Sequence, residues 1–291
     1  MAEPGLGKRL QYRLEYAAFR ALAALCRALP LETASRLSGG GWRLVAPRLR
    51  RHARALGNLR LAFPEKSEAE REAIAHAMWD NLGRTFAEAF HAADLFTSDR
   101  IIVDNPAALA AFLARGGGVV CAPHLGNWEL IAAAAVRGGA NAAGTYQKIK
   151  NPLVDAYVLS LRLARHPGGL FAKSPAMPRK ALRHVSKGGV LFIAADLRNA
   201  QGLPVPFFGR PAPSTLFPAM IARSVGAPLA VSCVVREGEA RFRLKFETID
   251  VPSSQDRGAD IAAATALVQA AIERFVRAHP GQWMWAHRRW G

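Results

Sequence analysis

His124 and Glu129 stand five positions apart where an apolar run ends, in Val119-Val120-Cys121-Ala122-Pro123-His124-Leu125-Gly126-Asn127-Trp128-Glu129. An imidazole can take a proton from a hydroxyl because its reference pKa lies near neutrality, and a carboxylate beside it would select the tautomer and stabilise the imidazolium. In one uniform helix the two side chains would point ~140° apart. Their pairing therefore requires a turn after His124 and a helix carrying Glu129, and Gly126 supplies such a turn. Arg162 and Arg165, three residues apart on one helical face, are candidates for a positive contribution to the same site. Asp196 follows another apolar run, 190–194, where its carboxylate could organise a basic residue or hold a loop.

The elements that must position these groups follow from the pattern of apolar residues. Residues 1–92 read as helices: one over 10–30, a second from near Trp42 after the triple glycine 39–41, and a third opened by the capping box Ser67/Glu70 and running to about Ala89. From Ile101 onward short apolar runs alternate with helical stretches, the rhythm of α/β units. Strands are predicted at 101–103, 119–122, 145–148, 190–194, 228–235 and 241–249, the last two antiparallel across Gly238. Helices are predicted at 106–115, 127–137, 151–165, 175–187, 214–225 and 259–278. The expectation is an α/β fold with a mixed, mostly parallel central sheet flanked by helices. A helical N-terminal platform (1–92) precedes the core (93–291), the two forming one continuous structural domain. His124 then sits at a strand-to-helix junction, where open α/β sheets carry their sites.

Composition narrows the partners. The chain has 291 residues, 39 Lys and Arg against 22 Asp and Glu, and a formal charge of +17, which favours anionic partners. Residues 1–60 carry 12 Lys or Arg against 3 acids. Arg13, Arg20 and Arg27 recur every seven residues, drifting ~20° per step, so helix 10–30 would present a basic stripe opposite an apolar face. Its charges argue against a transmembrane span and for an interfacial helix. Nucleic acid is not expected as a partner, for no recognition helix, zinc spacing or Walker sequence is present. Cys26, Cys121 and Cys233 lie apart in apolar surroundings and suggest neither disulfides nor a metal site, and the N-terminus shows no cleavable signal, which fits a reducing, cytosol-facing environment.

The segment His124-Leu125-Gly126-Asn127-Trp128-Glu129 resembles that of the lipid A biosynthesis lauroyl/myristoyl acyltransferases, within the lysophospholipid acyltransferase-like superfamily. So do 58–64, Asn81-Leu82-Gly83-Arg84 with Glu88, Asn151-Pro152-Leu153, Ala195-Asp196, 206–212, Ala222-Arg223 with 226–228, and the tail 282–290. The ordered set spans residue 58 to the C-terminus. Asp196-Leu197-Arg198-Asn199 departs from the more acidic or glutamine-containing continuation of many relatives, which leaves the acceptor open.

The resemblance implies a glycerolipid-acyltransferase-like fold and transfer of a fatty-acyl chain from an acyl carrier protein thioester to a hydroxyl of a lipid A precursor. Another glycolipid acceptor, such as a phosphatidylinositol mannoside, and noncatalytic lipid binding are the alternatives. His124 would be the general base supported by Glu129, with Arg162, Arg165 and Asp196 supporting oxyanion or substrate. No metal and no tightly bound cofactor is expected, since the donor brings its own acyl-phosphopantetheine. Phe207 and Phe208, in a proline-rich stretch, are candidates to line an acyl channel. Arg223, Arg288 and Arg289 are candidates for headgroup phosphates, and Trp283, Trp285 and Trp290 either for a membrane interface or for a packing strap. The expected placement is the cytosolic face of the cell inner membrane, peripheral or monotopic through the N-terminal helix.

Overall fold

The structure is a computed structural model that describes residues 5–290. Its N-terminal part is helical, as α1 (Leu6–Ala28), α2 (Leu31–Val45), α3 (Arg50–Ala62), α4 (Glu68–Glu88) and α5 (Ala92–Thr97). Ser67 starts α4 as its sequence predicts. Its hydroxyl accepts from the Glu70 amide while the Glu70 carboxylate accepts from the Ser67 amide, which satisfies two N-terminal donors at once. The triple glycine does not end a helix, because α2 runs straight through it. The reason is packing: a Cβ on Gly83 of α4 would lie 2.5 Å from the Ser38 carbonyl oxygen, and one on Gly39 would lie 2.8 Å from Asp80 Oδ1. The two helices approach backbone to backbone, where no side chain fits.

The remaining elements are β1 (Ile101–Val103), α6 (Pro106–Ala114), β2 (Gly118–Ala122), α7 (Ala133–Arg137), β3 (Ala142–Tyr146), α8 (Pro152–Leu163), β4 (Gly169–Ala172), α9 (Met177–Ser186), β5 (Val190–Ala194), β6 (Leu203–Phe207), β7 (Arg210–Ser214), α10 (Phe217–Val225), β8 (Leu229–Arg236), β9 (Phe242–Ile249) and α11 (Arg257–Ala278). Seven strands form one sheet in the order β1-β9-β8-β2-β5-β3-β4. The five from β8 to β4 are parallel, while β9 runs antiparallel to β8 and β1 pairs parallel with β9. The sheet is thus mixed and mostly parallel, and β6 and β7 form a separate hairpin. Every residue of β2 is buried, as a strand covered on both faces requires. Val119, Cys121, Leu191 and Ile193 face a core shared with Ile221, Val268 and Ile272, and Val120, Val190 and Phe192 face a second core with Leu109 and Phe112. All three cysteines are buried and free.

Other local details differ as well. The helix predicted over 127–137 is a single 3-10 turn, Trp128–Leu130, followed by the five-residue α7. The edge strand β4 was not anticipated, because Gly169-Leu170-Phe171-Ala172 shows no alternation and its four residues are only half-buried.

The placement at an inner membrane through the N-terminal helix is overturned. No helix among the described residues is long and apolar enough to cross a membrane. Two arginines of the α1 stripe also have partners within the protein. Arg20 donates to the Tyr16 hydroxyl and lies 4.6 Å over the Tyr157 ring of α8, and Arg27 donates to the Phe90 carbonyl. Phe19 packs edge-on against Phe86, Phe90 and Tyr157, so this side of α1 is spent on the protein itself. Leu6, Leu10, Leu14, Leu22 and Leu25 stay exposed on another side of α1.

Replacing Gly83 by alanine should destabilise the protein by about 1–3 kcal/mol, because the added methyl meets backbone rather than a movable side chain. Gly40→Ala, whose Cβ meets nothing within 4 Å, should leave the midpoint of chemical denaturation unchanged or raised. Equal midpoints for the two variants would refute this account of helix contact.

Candidate active site

Strand register brings the site together. In the parallel pair β2/β5, Ala122 is opposite Ala194, so the residues two positions beyond each strand end, His124 and Asp196, emerge side by side at the carboxyl edge of the sheet. His124 Nδ1 donates to Asp196 Oδ1 at 2.9 Å, and the His124 amide donates to Asp196 Oδ2 at 2.7 Å. Trp283 Nε1 adds a third donor to Oδ2 at 2.8 Å. The carboxylate is sealed from water. Burial alone would raise its pKa, but the charge and hydrogen bonds of His124, with Trp283, outweigh that and hold it far below the usual carboxylate range.

The turn after His124 is clamped on several sides. Gly126 has φ of +63°, and a Cβ there would fall 1.8 Å from the Val234 carbonyl oxygen. Its amide donates to Gln282 O, its carbonyl accepts from Asn81 and Thr85, and the Asn127 amide donates to Val234 O. The Asn127 side chain caps the 3-10 turn by accepting from the Glu129 amide, and donates to the buried Glu88 carboxylate at 2.8 Å. Glu88 is itself held bidentately by Arg236.

Glu129 does not orient His124: no hydrogen bond joins them among the described residues. The break of the predicted helix turns its carboxylate toward α8, where Arg162 grips it with Nε at 3.0 Å and with Nη2, and Arg165 Nη2 lies 3.7 Å away. Burial opposes its ionisation, yet these guanidiniums, Arg162 first, lower its pKa. Arg162 faces the site. Arg165 is buried behind it, donating to the Glu129 carbonyl and lying against Phe96. For His124, burial disfavours the charged ring, but Asp196, and more weakly Glu129, raise its pKa overall. Its ring is flanked by Trp128 at 5.3 Å and His287 at 5.2 Å. Burial, then the charge of His124, pushes His287 down to about 4, so it stays neutral at pH 7.

A cavity of about 710 Å³ opens over this edge, within the range of ligand pockets. His124, Glu129 and Arg162 lie in its wall, and Ile131, Leu170, Met177, Phe192 and Phe217 give it an apolar interior. Asp196 lies under His124 rather than in the wall. Leu170 and Met177 had no signal in the sequence beyond their hydrophobicity, since only the unanticipated β4 and the start of α9 carry them here.

Several predicted residues are elsewhere. Phe207 and Phe208 are buried among Trp283, Trp285 and Trp290, because the β6/β7 hairpin folds back on the tail, so they do not line this cavity. Phe208 instead borders a separate surface cavity of about 530 Å³ with Arg210 and Arg277. Arg289 is fully buried, donating to Ser214 and Gln269 at 2.8 and 2.9 Å and lying over Phe207, so it is unable to reach a headgroup. Arg223 is tied to Asp260 and the Ser254 carbonyl. Arg288 is exposed. Trp283 and Trp285 are inside, which makes the tail a packing strap.

This chain belongs to the bacterial lipid A biosynthesis acyltransferase family, whose model matches residues 8–291. The match begins fifty residues before the first motif recognised in the sequence. No curated protein matches the chain significantly. Membership carries acyltransferase activity in lipid A and lipopolysaccharide biosynthesis. Among the described residues no group of three or more His, Cys, Asp or Glu could hold a metal ion.

Because Asp196 is the ring's hydrogen-bond partner, NMR titration of His124 should show a clearly lower pKa in Asp196→Asn than in the wild type. Glu129→Gln should move it less. A larger shift from the Glu129 change would reverse the assignment.

Proposed function

We propose that this acyltransferase moves a fatty-acyl chain from the thioester of an acyl carrier protein directly onto a hydroxyl of a lipid A precursor, with His124 as general base. The observation that carries the reading is the His124–Asp196 pair, with Nδ1 occupied by the carboxylate and Nε2 left for a substrate, in the wall of a cavity that has both apolar and charged lining. An acyl chain buried there is stabilised by about 0.8 kcal/mol per CH₂, which supplies affinity without consuming polar contacts.

His124 Nε2 removes the proton of the acceptor hydroxyl as its oxygen attacks the thioester carbonyl. Asp196 holds the ring in the required tautomer and stabilises the imidazolium, the role that a buried carboxylate plays behind a catalytic histidine. The new C–O bond produces a tetrahedral oxyanion. Arg162 binds Glu129 through Nε and Nη2, which leaves Nη1 for that oxyanion. Glu129 acts here as a positioning residue. One carboxylate between two guanidiniums leaves a net positive charge beside the reacting carbon, in surroundings dry enough to strengthen it. Collapse breaks the C–S bond, and the imidazolium returns its proton to the departing phosphopantetheine thiolate. The step balances without an acyl-enzyme or a redox partner.

Purified protein supplied with acyl carrier protein thioesters and lipid A precursors should raise the acceptor mass by one acyl group. His124→Ala should lower kcat by about 10²–10⁴-fold while the protein still folds, as expected for loss of a general base; wild-type turnover in that variant sinks the assignment. Protonated His124 is inactive as a base, and its pKa is raised. Activity should therefore fall as pH drops through a value above the ordinary histidine range of ~6.5, and Asp196→Asn should move that limb to lower pH while lowering kcat. Arg162→Lys, which keeps the charge but loses the fork, should reduce kcat by about 10²-fold with little change in KM.

A further inference from the structure

The sequence from 156 to 236 contains eleven Lys or Arg and a single acid, Asp196. That acid is buried beneath His124. The structure divides the eleven cations into two groups. Arg162 and Arg165 hold Glu129, Arg223 holds Asp260, Arg236 holds Glu88, and Arg210 donates to the Leu61 carbonyl. The other six, Lys173, Arg179, Lys180, Arg183, Lys187 and Arg198, are all exposed, and none makes an ion pair among the described residues.

The six are not scattered. Lys173 and Arg198 lie in the wall of the His124 cavity, and so do Met177 and Pro178, the first two residues of α9. The helix then leads away with Ala181 and Val185 buried against the sheet. Arg179 and Arg183 are one turn apart on its outer side, with Lys180 and Lys187 beside them. A continuous cationic face thus starts at the cavity mouth and extends along α9. Holding six like charges close together without counter-charges costs self-repulsion, which an anionic partner would remove.

We propose that the outer face of α9, with Lys173 and Arg198 at its cavity end, is the docking surface for the acidic carrier protein that delivers the acyl thioester. This rests on the donor assigned under the proposed function. Charge complementarity selects the class of partner, and the position beside the mouth lets the thioester arm enter the cavity while the carrier's body stays outside. The face also lacks what a lipid surface would use: Leu182, at 37% exposure, is the lone large apolar side chain exposed on α9. Charges at the rim of such a contact act mainly on encounter and on its salt dependence, because exposed charges are screened within about 8 Å at physiological ionic strength.

The test compares Arg179→Glu/Arg183→Glu with Arg43→Glu/Arg241→Glu, an equal charge change at exposed residues of α2 and of the turn into β9, away from α9 and without ion pairs among the described residues. Neither pair of residues lines the cavity. The α9 variant should raise KM for the carrier-bound donor at least tenfold, weaken direct binding of the holo carrier protein to the same extent, and flatten the salt dependence of both. Its kcat, its KM for the lipid acceptor and its turnover of a small acyl-pantetheine thioester should be unchanged, and the Arg43/Arg241 variant should resemble the wild type throughout. Unchanged carrier binding by the α9 variant, with the wild type turning over, overturns the docking surface and leaves the transfer reaction standing. Equal losses in both variants overturn it in favour of a diffuse field, and a rise in acceptor KM overturns it in favour of an anionic lipid. Wild-type protein that binds the carrier at α9 without transferring the chain supports the surface and sinks the reaction instead.

Discussion

A carboxylate removed from water must be given a donor for each side of its charge, and Asp196 gathers its three donors from two other parts of the chain. Its own position is the end of β5; the amide and ring of His124 come from the end of β2, and the indole of Trp283 comes from the C-terminal tail. Leaving any of these unmade would expose an uncompensated buried charge, which costs far more than an ordinary hydrogen bond contributes. The site is therefore one of the joints that assembles the fold, and the tautomer of His124 is set by the same bonds that hold tail to sheet.

A second buried acid does for the turn what Asp196 does for the ring. Glu88 accepts from Arg236 of β8, from Ser35 of α2 and from Asn127 in the turn after His124. The helical N-terminal part is thereby wired to the carboxyl edge of the sheet through charge-assisted bonds rather than through apolar contact alone. Glu129, partly buried in the cavity wall, pairs with Arg162 and Arg165, which leaves the excess positive charge of the two guanidiniums beside the cavity. These three acids thus take three different jobs, each decided by which donors the topology brings near.

Much of this architecture was legible in local chemistry. The Ser67 capping box, the apolar runs that become β2, β5 and β8, and the hairpin to β9 are all specified within a few residues, because caps and strand periodicity are short-range. The histidine at a strand end was equally plain. What failed depended on distance. The triple glycine looked like a helix stop because its packing partner, Gly83, is more than forty residues away. The break of the 127–137 helix follows from the anchoring of Gly126 and Asn127 by Val234 and Gln282, and that break turned Glu129 from His124 toward Arg162. Phe207, Phe208 and Arg289 resembled channel and headgroup residues by type, yet they form one buried cluster with the tail.

By itself, then, the sequence determined the helix-then-α/β order, the strand carrying His124, the excess of basic charge and, through its ordered motifs, the family. Residue types and short spacings encode these directly. Only the tertiary structure decided that Asp196 is the partner of His124, since 72 residues separate them and nothing but the parallel register of β2 and β5 makes them neighbours. It likewise decided which of Arg162 and Arg165 faces the cavity and which cations remain without a counter-charge. Pairing depends on strand order and helix docking, and those are settled by what the whole chain can bury at once.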